Sequence, residues 1–363
     1  MAYFFKLRKC SHQCAILWLM ACRLSVYHFL MNKKPVTMKD IALKAGVSVT
    51  TVSHVISKTR NVAQETRELV LRTLDDLDYQ QAENRLGEAA VLDRIGVITA
   101  DIQEDYYILL VKTIETIASE NNISVLFCDS ADDPEKEQHN ISMMLSKNVD
   151  GLILAPVNFR PYPRELRVAD IPVVLVDRQY EKHNTTFVGI NNAESALKGT
   201  QYLVDKGCRR VGFVGYSESV YTMQQRVAGY KLGVMQYLQN QSPEVLHLKY
   251  SKEDSYHLIK AFLLEHGCDG LLCGTSDLCY QVINVADDLG LNIPEQLKIL
   301  TYDDNKWLDY LKYPVSVITQ PTVEIGYQAV ERILQLAGNR RIAKRTKTEI
   351  FFDVEIIDRL KPA

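Results

Sequence analysis

The residues between positions 48 and 60 include short polar side chains whose types and spacing suit contact with a nucleic acid. At helical spacing, Val52, Val55 and Ile56 turn to one side of the chain. Short hydroxyls on the opposite side can reach phosphates or base edges without blocking a groove, and a histidine can hydrogen-bond a purine edge. The outward-facing residues are Val49, Thr50, Thr51, Ser53 and His54. Their pattern predicts a DNA-reading helix over residues 49–56.

Two further predicted helices flank this one and would hold it in place. Residues 38–45 have apolar positions at helical spacing behind Thr37, a natural N-cap, and Gly46 follows where a left-handed residue ends a helix. Ser48 caps the second helix, and residues 65–77 form a third amphipathic stretch. This order is that of a helix-turn-helix, whose second helix enters the major groove.

Basic residues surround the predicted helix-turn-helix and supply attraction to phosphates. Residues 1–60 hold ten Lys and Arg and a single acid, whereas the rest of the 363-residue chain holds 32 Lys and Arg against 44 acids. Only the N-terminal end is therefore expected to meet a polyanion, although the whole chain has a net charge of −3. The predicted DNA contacts here are Thr37, Lys39, Ser48, Val49, Thr50, Thr51, Ser53, His54 and Arg60.

The rest of the chain alternates apolar runs with amphipathic stretches. The apolar runs predict buried parallel strands at residues 95–98, 125–127, 151–154, 173–176, 211–214, 270–272 and 299–301. Helices are predicted between them, at residues 109–118, 135–145, 193–204, 225–238 and 277–289. This alternation over about 260 residues predicts doubly wound α/β sheets divided between two subdomains.

A second set of candidate residues follows those apolar runs. Open sheets of this kind bind ligands at the carboxyl ends of their strands. Polar and aromatic residues stand there, among them Tyr106, Tyr107, Asp177, Thr222, Arg226, Tyr250, Asp277 and Asp303. Aromatic rings with carboxylate and guanidinium groups suit a small polar ring that carries hydroxyls or amides. A sugar or a nucleobase or nucleoside is the expected ligand.

Composition and motifs exclude several classes of protein. The eight cysteines form no CxxC pair and no zinc pattern, so no metal or other cofactor is expected, and the usage favours a reducing cytoplasm. No dinucleotide fingerprint, P-loop, HExxH or GxSxG occurs, which argues against an enzyme. The apolar run at residues 15–21 is too short to span a bilayer. Residues 1–36 are interpreted as a disordered extension, or as the result of a start codon assigned upstream of Met31.

The sequence resembles a known family of proteins. The resemblance to the headpiece of LacI/GalR-family transcriptional regulators is carried by residues 37–42, 45–48, 51–53, 62–67 and 77–79, which read TMKDIA, AGVS, TVS, VAQETR and LDY. It extends from Val36 to Ile357, and the headpiece is most similar to that of the purine repressors within the family. The resemblance implies that Thr50 and His54 read bases, and that the body is a two-subdomain fold like that of periplasmic binding proteins.

The hinge departs from the family pattern. Where the family has Pro-Asn-x-x-Ala-Arg-x-Leu, this chain has QQAENRLGE after Tyr79, and the segment to Ile95 is one residue short. Leu86 is the candidate for the leucine that wedges into the minor groove. The implied domains are a DNA-binding domain at 37–80, a hinge at 81–93, and an effector-binding and dimerisation domain at 94–357. Within the last, one subdomain takes about 94–190 and 322–347, and the other about 191–321 and 348–357.

The resemblance also assigns roles in the ligand site. Tyr106 and Tyr107 match an aromatic pair that packs on the effector, and Arg226 matches the arginine that clamps it. Tyr250 matches an aromatic wall and Asp303 an acceptor for ligand OH or NH, while Thr222, Asp177 and Asp277 are pocket candidates. A purine-repressor pocket would have an arginine where Val220 stands. A sugar or sugar derivative is therefore favoured, with a nucleobase or nucleoside as the alternative.

The predicted assembly is a homodimer on a pseudo-palindromic operator, because no leucine-heptad tail follows Ile357. The expected function is repression of a catabolic operon under the control of a small effector, which can be an inducer or a corepressor. The rival interpretation is a periplasmic sugar-binding protein, which shares the body fold. Residues 37–79 favour the regulator, because a secreted binding protein would not carry them.

Overall fold

The structure is a computed structural model that describes residues 38–48, 51, 52, 55, 63–76, 92–169, 171–182, 184–249, 255–338 and 347–360. The chain separates into two compact units, Met1–Glu88 and Ala89–Ala363. Within the described residues, no helix is long and apolar enough to cross a membrane. The same residues contain no cluster of His, Cys, Asp and Glu arranged to hold a metal ion.

The first unit contains helices α1 (Met38–Ala45) and α2 (Gln64–Asp76), which contact each other. Gly46 has a φ of +64° and turns the chain out of α1, a conformation that favours glycine. Ser48 then caps the next helical segment, because its Oγ accepts a hydrogen bond from the backbone N–H of Thr51 at 3.0 Å. Val52 and Val55 are buried there, as the predicted inward face of the reading helix requires.

The second unit contains twelve strands among its described residues. They are β1 (Arg94–Thr99), β2 (Ser124–Asp129), β3 (Gly151–Leu154), β4 (Val173–Val176), β5 (Thr186–Ile190), β6 (Val211–Tyr216), β7 (Glu244–Leu248), β8 (Gly270–Cys273), β9 (Lys298–Tyr302), β10 (Ser316–Thr319), β11 (Thr348–Phe352) and β12 (Glu355–Ile357).

The helices of this unit alternate with the strands and cover the sheets. They are α3 (Asp105–Glu120), α4 (Pro134–Ser146), α5 (Arg164–Val168), α6 (Asn192–Asp205), α7 (Tyr221–Tyr237), α8 (Ser255–His266), α9 (Ser276–Asp288), α10 (Thr322–Gly338) and a 3₁₀ helix, Lys306–Tyr310.

The strands form two six-stranded sheets, and each sheet is the centre of one subdomain. The first has the order β11-β5-β4-β3-β1-β2 and is parallel throughout, while the second has the order β12-β10-β9-β8-β6-β7 with only β12 antiparallel. The central strands β3, β4 and β8 are buried along their whole length, which explains why they read as unbroken apolar runs. The predicted α/β architecture with two subdomains is confirmed.

The division of the chain between the subdomains differs from the prediction at one segment. Residues 348–357 were expected to lie together in the second subdomain, but β11 pairs with β5 at the edge of the first sheet, with Ile350 opposite Val188. Only β12 belongs to the second sheet, where it pairs with β10. The reason is that β5 would otherwise leave an unpaired edge, which the parallel strand β11 covers.

A buried carboxylate holds the loop after β3 in the first subdomain. Glu137 on α4 is fully buried, and its Oε1 accepts hydrogen bonds from Arg160 Nη2 at 2.5 Å and from Tyr180 Oη at 2.7 Å. Its Oε2 accepts the backbone N–H of Val157, whose carbonyl in turn accepts a bond from Arg178. The network therefore connects α4 to the residues that follow β4.

Replacing Glu137 with Ala is expected to destabilise the protein by about 3–5 kcal/mol, because it leaves the three donors without their buried acceptor. The measurement is urea unfolding followed by circular dichroism. Glu135→Ala, at an exposed position on the same helix, is the matched control and should change stability by no more than about 0.5 kcal/mol. Equal effects of the two substitutions would contradict the structural role of Glu137.

Candidate functional site

The carboxyl ends of the strands from both sheets face a common cleft. Its outer part is a cavity of about 690 Å³, and its deep end narrows to a compartment of only about 10 Å³. Side chains from both subdomains line the deep compartment, among them Tyr106, Asp177, Arg178, Thr222, Arg226, Asp303 and Gln320. The chain topology therefore brings together residues that lie more than 200 positions apart.

Arg226 on α7 is a fixed cation at the deep end of the cleft. Only 3% of the residue is exposed; its Nε donates to Asn192 Oδ1 at 2.8 Å and its Nη1 to the carbonyl of Gly274 at 2.6 Å. The guanidinium lies over the ring of Tyr302, with Cζ 3.6 Å from the ring centroid, an arrangement that favours a cation. These contacts fix the plane of the guanidinium.

Gly229 explains how α7 comes close enough to α6 for this arrangement. A Cβ atom at this position would lie 1.9 Å from the carbonyl oxygen of Ala193, so any larger residue would push the helices apart. The close approach brings the N-terminus of α6, where Asn192 stands, to the guanidinium of Arg226. The glycine thereby contributes to the site without facing the cleft.

Asp303 follows β9 and faces the same compartment. Its φ is +66°, its backbone N–H donates to the carbonyl of Ile318 at 3.0 Å, and its Oδ1 accepts from Gln320 Nε2 at 2.8 Å. Burial raises the pKa of this carboxyl to about 6, although Arg226 and the hydrogen bond from Gln320 act to lower it. An acceptor with an elevated pKa thus lies in the compartment that holds Arg226.

Asp177 follows β4 and has a φ of +60°. Its Oδ2 accepts a hydrogen bond from Tyr107 Oη at 2.7 Å. The adjacent Arg178 donates from Nη1 to Asp132 Oδ1 at 2.6 Å and to the carbonyl of Val157 at 3.2 Å. Both charged side chains are therefore anchored by the first subdomain while they line the cleft.

The two tyrosines at the start of α3 differ from each other. Tyr106 lines both parts of the cleft, whereas Tyr107 lines neither. Tyr107 is fully buried, and its hydroxyl donates a hydrogen bond to Asp177 Oδ2. The prediction that both rings pack on the ligand is therefore corrected for Tyr107. Successive helical residues point about 100° apart, so only one of the two can face the cleft directly.

Several buried polar atoms around the compartment have no hydrogen-bond partner among the described residues. They include Tyr106 Oη, Gln320 Oε1, Asn192 Nδ2 and Asp132 Oδ2. Buried polar groups in folded proteins are nearly always paired, so a cluster of unpaired atoms at one cleft indicates a place for a polar ligand. The cluster offers both donors and acceptors, as a polyhydroxylated molecule would require.

The remaining predicted ligand residues have different positions. Thr222 is buried at the deep end, next to Val220 and Met223. Asp277 lies in the outer cavity, where its Oδ2 accepts from Tyr216 Oη at 2.7 Å and from Gln281 Nε2 at 2.8 Å. Tyr250 lies outside the described residues.

Sequence reasoning missed several polar residues of the site. Among them are Glu104, Asp132 and Gln320, which line the cleft, and Asn192, which accepts a hydrogen bond from Arg226. Gln320 directly follows β10 and Asn192 begins the helix after β5, so the strand-end rule that selected Asp177 and Asp303 would have selected these two as well. Glu104 and Asp132 lie in loops, and only the folded chain shows that they face the cleft.

The cleft carries more negative than positive charge. Its carboxylates are Asp101, Glu104, Asp105, Asp132, Asp177, Asp277 and Asp303, against the cations Arg178, Arg226 and Lys249. Burial raises the pKa of Glu104 against the opposing effect of Arg178, and the carboxylates of Asp177 and Asp132 add to the rise. Such surroundings disfavour a phosphorylated or carboxylated ligand and suit one that donates hydrogen bonds.

The predicted DNA contacts belong only in part to the described residues. Ser48 and Thr51 are described, and Ser48 Oγ lies 2.8 Å from Thr51 Oγ1. Lys39 belongs to α1, but its side chain is outside the described part. The other predicted contacts lie outside the described residues, namely Thr37, Val49, Thr50, Ser53, His54, Arg60 and Leu86.

Two family models match the chain and together span most of it. Residues 37–81 match the model for bacterial regulatory proteins of the lacI family, and residues 95–341 match the model for the periplasmic binding protein domain. The first match covers the predicted helix-turn-helix, and the second covers both sheets except the edge strands β11 and β12.

Characterised relatives are similar over nearly their whole length. The sucrose operon repressor of Pediococcus pentosaceus is 31% identical over 304 residues, which cover 82% of this chain and 91% of the relative. The transcriptional repressor PurR of Haemophilus influenzae is 27% identical over 328 residues, covering 89% and 97%.

Solved structures share the fold. The transcription regulator CcpA of Lactococcus lactis superposes with a TM-score of 0.65 at 22% identity, over 74% of this chain and 98% of that one. A complex of the transcriptional regulator CelR with cellobiose superposes with a TM-score of 0.63 at 20% identity, over 89% and 98%.

Proposed function

Because this chain belongs to the LacI family of transcriptional regulators, we propose that it is a repressor whose operator affinity is controlled by a sugar bound in the cleft. The observation that carries the proposal is the convergence of Arg226, Asp303 and Asp177 on one deep compartment. Beside them, Tyr106 Oη and Gln320 Oε1 have no partner in the described part of the chain. Fixed cationic and anionic groups with free donors and acceptors match the alternating hydroxyls of a sugar.

Charge and relatives support a sugar over other ligands. The excess of carboxylates around the cleft disfavours phosphorylated compounds. Among the relatives are a sucrose operon repressor and a regulator solved with cellobiose. The second candidate is a purine or nucleoside, which the similarity to PurR favours. Against it, the buried and apolar Val220 lines the deep compartment where a purine-repressor pocket would have an arginine.

We assign residues 37–80 to DNA binding, 81–93 to the hinge and 94–357 to effector binding and dimerisation. The match of residues 37–81 to the lacI model supports a regulator over the periplasmic binding protein. A regulator of this kind acts in the cytoplasm, on a pseudo-palindromic operator and as a homodimer. A lac repressor is known as a dimer on its operator, with the same fold.

The proposed mechanism uses the two subdomains as a two-state device. The chain passes between them three times, after β5, after β10 and after β11. A sugar that contacts Asp177 on one side and Arg226 and Asp303 on the other binds more tightly when the subdomains close on it. Because the sugar has a higher affinity for the closed form, it shifts the population of the protein from the open to the closed form. The paired hinges of the dimer pass this change to the headpieces and so alter the affinity for the operator.

A thermal-shift screen of the purified protein tests the class of effector. The panel contains neutral sugars, sugar phosphates, nucleobases and nucleosides, because a ligand that binds the folded state raises the melting temperature. We expect neutral sugars to stabilise the protein and their phosphates to have no effect. Stabilisation by nucleobases alone would refute the sugar proposal and support the purine alternative.

Replacing His54 with Ala should lower operator affinity by about 1–3 kcal/mol and relax the preference at one operator position, if the side chain reads a base edge. Fluorescence anisotropy against a set of single-position operator variants measures both effects. Lys58 is one of the basic residues that follow the predicted reading helix, where we expect them to contact phosphates. Lys58→Ala is therefore the matched control, because loss of a phosphate contact weakens all sequences uniformly and lowers the salt dependence. A uniform loss for His54→Ala would show that His54 contacts the backbone instead.

A further inference from the structure

The outer part of the cleft is larger than a single sugar ring requires. Arg226 and Asp303 lie at its deep end, and from there a cavity of about 690 Å³ opens toward solvent. Pockets of about 300–1,000 Å³ bind drug-sized ligands, which are larger than a single hexose. The deep compartment of about 10 Å³ has room for a single hydroxyl, so one ring beside Asp303 would lie in the outer cavity and fill only part of it.

One wall of this outer cavity carries an aromatic pair. Trp307, on the 3₁₀ helix Lys306–Tyr310, and Tyr280, on α9, meet edge to face with ring centroids 5.8 Å apart at an angle of 87°. Tyr280 is 53% exposed, and both rings line the cavity. Trp307 is partly buried, and the portions of the two rings that line the cavity provide a stacking surface for the apolar face of a ligand ring.

The same cavity is lined by hydrogen-bond acceptors from the first subdomain. Glu104 and Asp132 line it, and Asp132 Oδ2 is buried without a partner among the described residues. Tyr106, which is only 6% exposed, also lines it, and its hydroxyl has no hydrogen-bond partner in the part of the chain that the structure describes. Carboxylates accept hydrogen bonds from hydroxyls, so these groups suit the rim of a sugar whose face lies on an aromatic ring.

We propose that the outer cavity is a second sugar subsite, so that the effector is an unphosphorylated disaccharide or longer glycoside. The first ring lies beside Tyr106 and Asp303, which line both parts of the cleft, and one of its hydroxyls enters the narrow deep end toward Arg226. The second ring stacks on Trp307 and Tyr280 and donates hydroxyl hydrogen bonds to the carboxylates of the first subdomain. This inference rests on the proposed sugar effector and extends it from one ring to two.

The test compares monosaccharides with disaccharides by isothermal titration calorimetry on the full chain. The probes are glucose, galactose and fructose, and the disaccharides sucrose, maltose, cellobiose and lactose. At least one disaccharide is expected to bind ten or more times more tightly than its constituent monosaccharides. Trp307→Ala should reduce that affinity by a factor of ten or more and leave the affinity for the monosaccharides unchanged. Tyr310→Ala is the matched control, since Tyr310 is on the same 3₁₀ helix, is 89% exposed and does not line the cavity.

The possible outcomes separate this inference from the proposed function. Equal affinities for monosaccharides and disaccharides would refute the second subsite and leave the sugar effector intact. The same conclusion would follow if Trp307→Ala lowered the affinity for monosaccharides and disaccharides by the same factor. Binding of nucleobases without any sugar would refute both. A change in oligomeric state on Trp307→Ala, measured by light scattering, together with unchanged disaccharide affinity, would assign the ring to a subunit contact and overturn the subsite.

Discussion

Arg226→Ala is expected to abolish the response to the effector. If the effector is an inducer, the variant still binds its operator when the effector is present. If the effector is a corepressor, the variant does not gain operator binding when the effector is added. The guanidinium is held in one plane by Asn192, Gly274 and Tyr302, so it meets a ligand without further ordering. Hydrogen bonds to a charged group contribute about 1.5–3 kcal/mol each, so the loss of one of them lowers affinity by roughly 10- to 100-fold. Calorimetry with the effector, and operator binding with and without it, measure the two effects.

Controls separate the loss of ligand contacts from the loss of fold. Arg226→Ala leaves Asn192 Oδ1 and the Gly274 carbonyl without their donor, which itself costs stability. Arg226→Lys keeps the charge but lacks the planar fork, so we expect it to fold and to lose most of the affinity. Lys231→Ala, at an exposed position on α7, should change neither. A full effector response from folded Arg226→Lys and Arg226→Ala proteins would refute the assignment of the cleft.

The sequence alone predicts the buried strands of the two sheets but not the position of every edge strand. Buried parallel strands such as β3 and β4 were found because burial on both faces produces unbroken apolar runs. Strand β11 was assigned to the wrong subdomain, since its pattern of half-buried residues fits the edge of either sheet. Only the pairing of β11 with β5 decides between them.

The same limit applies to the site residues. Asp177 and Asp303 could be predicted because they follow strands, where open sheets present their ligand groups. The burial of Tyr107 could not be predicted from the sequence, because it depends on the rotation of α3 about its own axis relative to the sheet. The pairing of Trp307 with Tyr280 joins two elements whose approach no local pattern encodes.

Asp303→Asn is expected to weaken effector binding by about 1.5–3 kcal/mol, or roughly 10- to 100-fold, because a hydroxyl then meets a neutral amide oxygen instead of a carboxylate. In the wild-type protein, affinity should rise with pH between about 5 and 7. Burial raises the pKa of Asp303 to about 6, so the carboxyl is protonated and a poorer acceptor below that pH. A ligand that donates to the ionised form binds better as pH rises through 6.

The pH profile of Asp303→Asn distinguishes this role from a general effect of acid. Calorimetry from pH 5 to 7.5 should give a flat profile for the variant and a rising one for the wild type. Glu104 faces the same cleft, and burial raises its pKa as well, so Glu104→Gln serves as the second variant. If the rise near pH 6 persists in Glu104→Gln and disappears in Asp303→Asn, the acceptor is Asp303. If the rise disappears only in Glu104→Gln, the group that titrates against the effector is Glu104, and the contact with Asp303 is refuted.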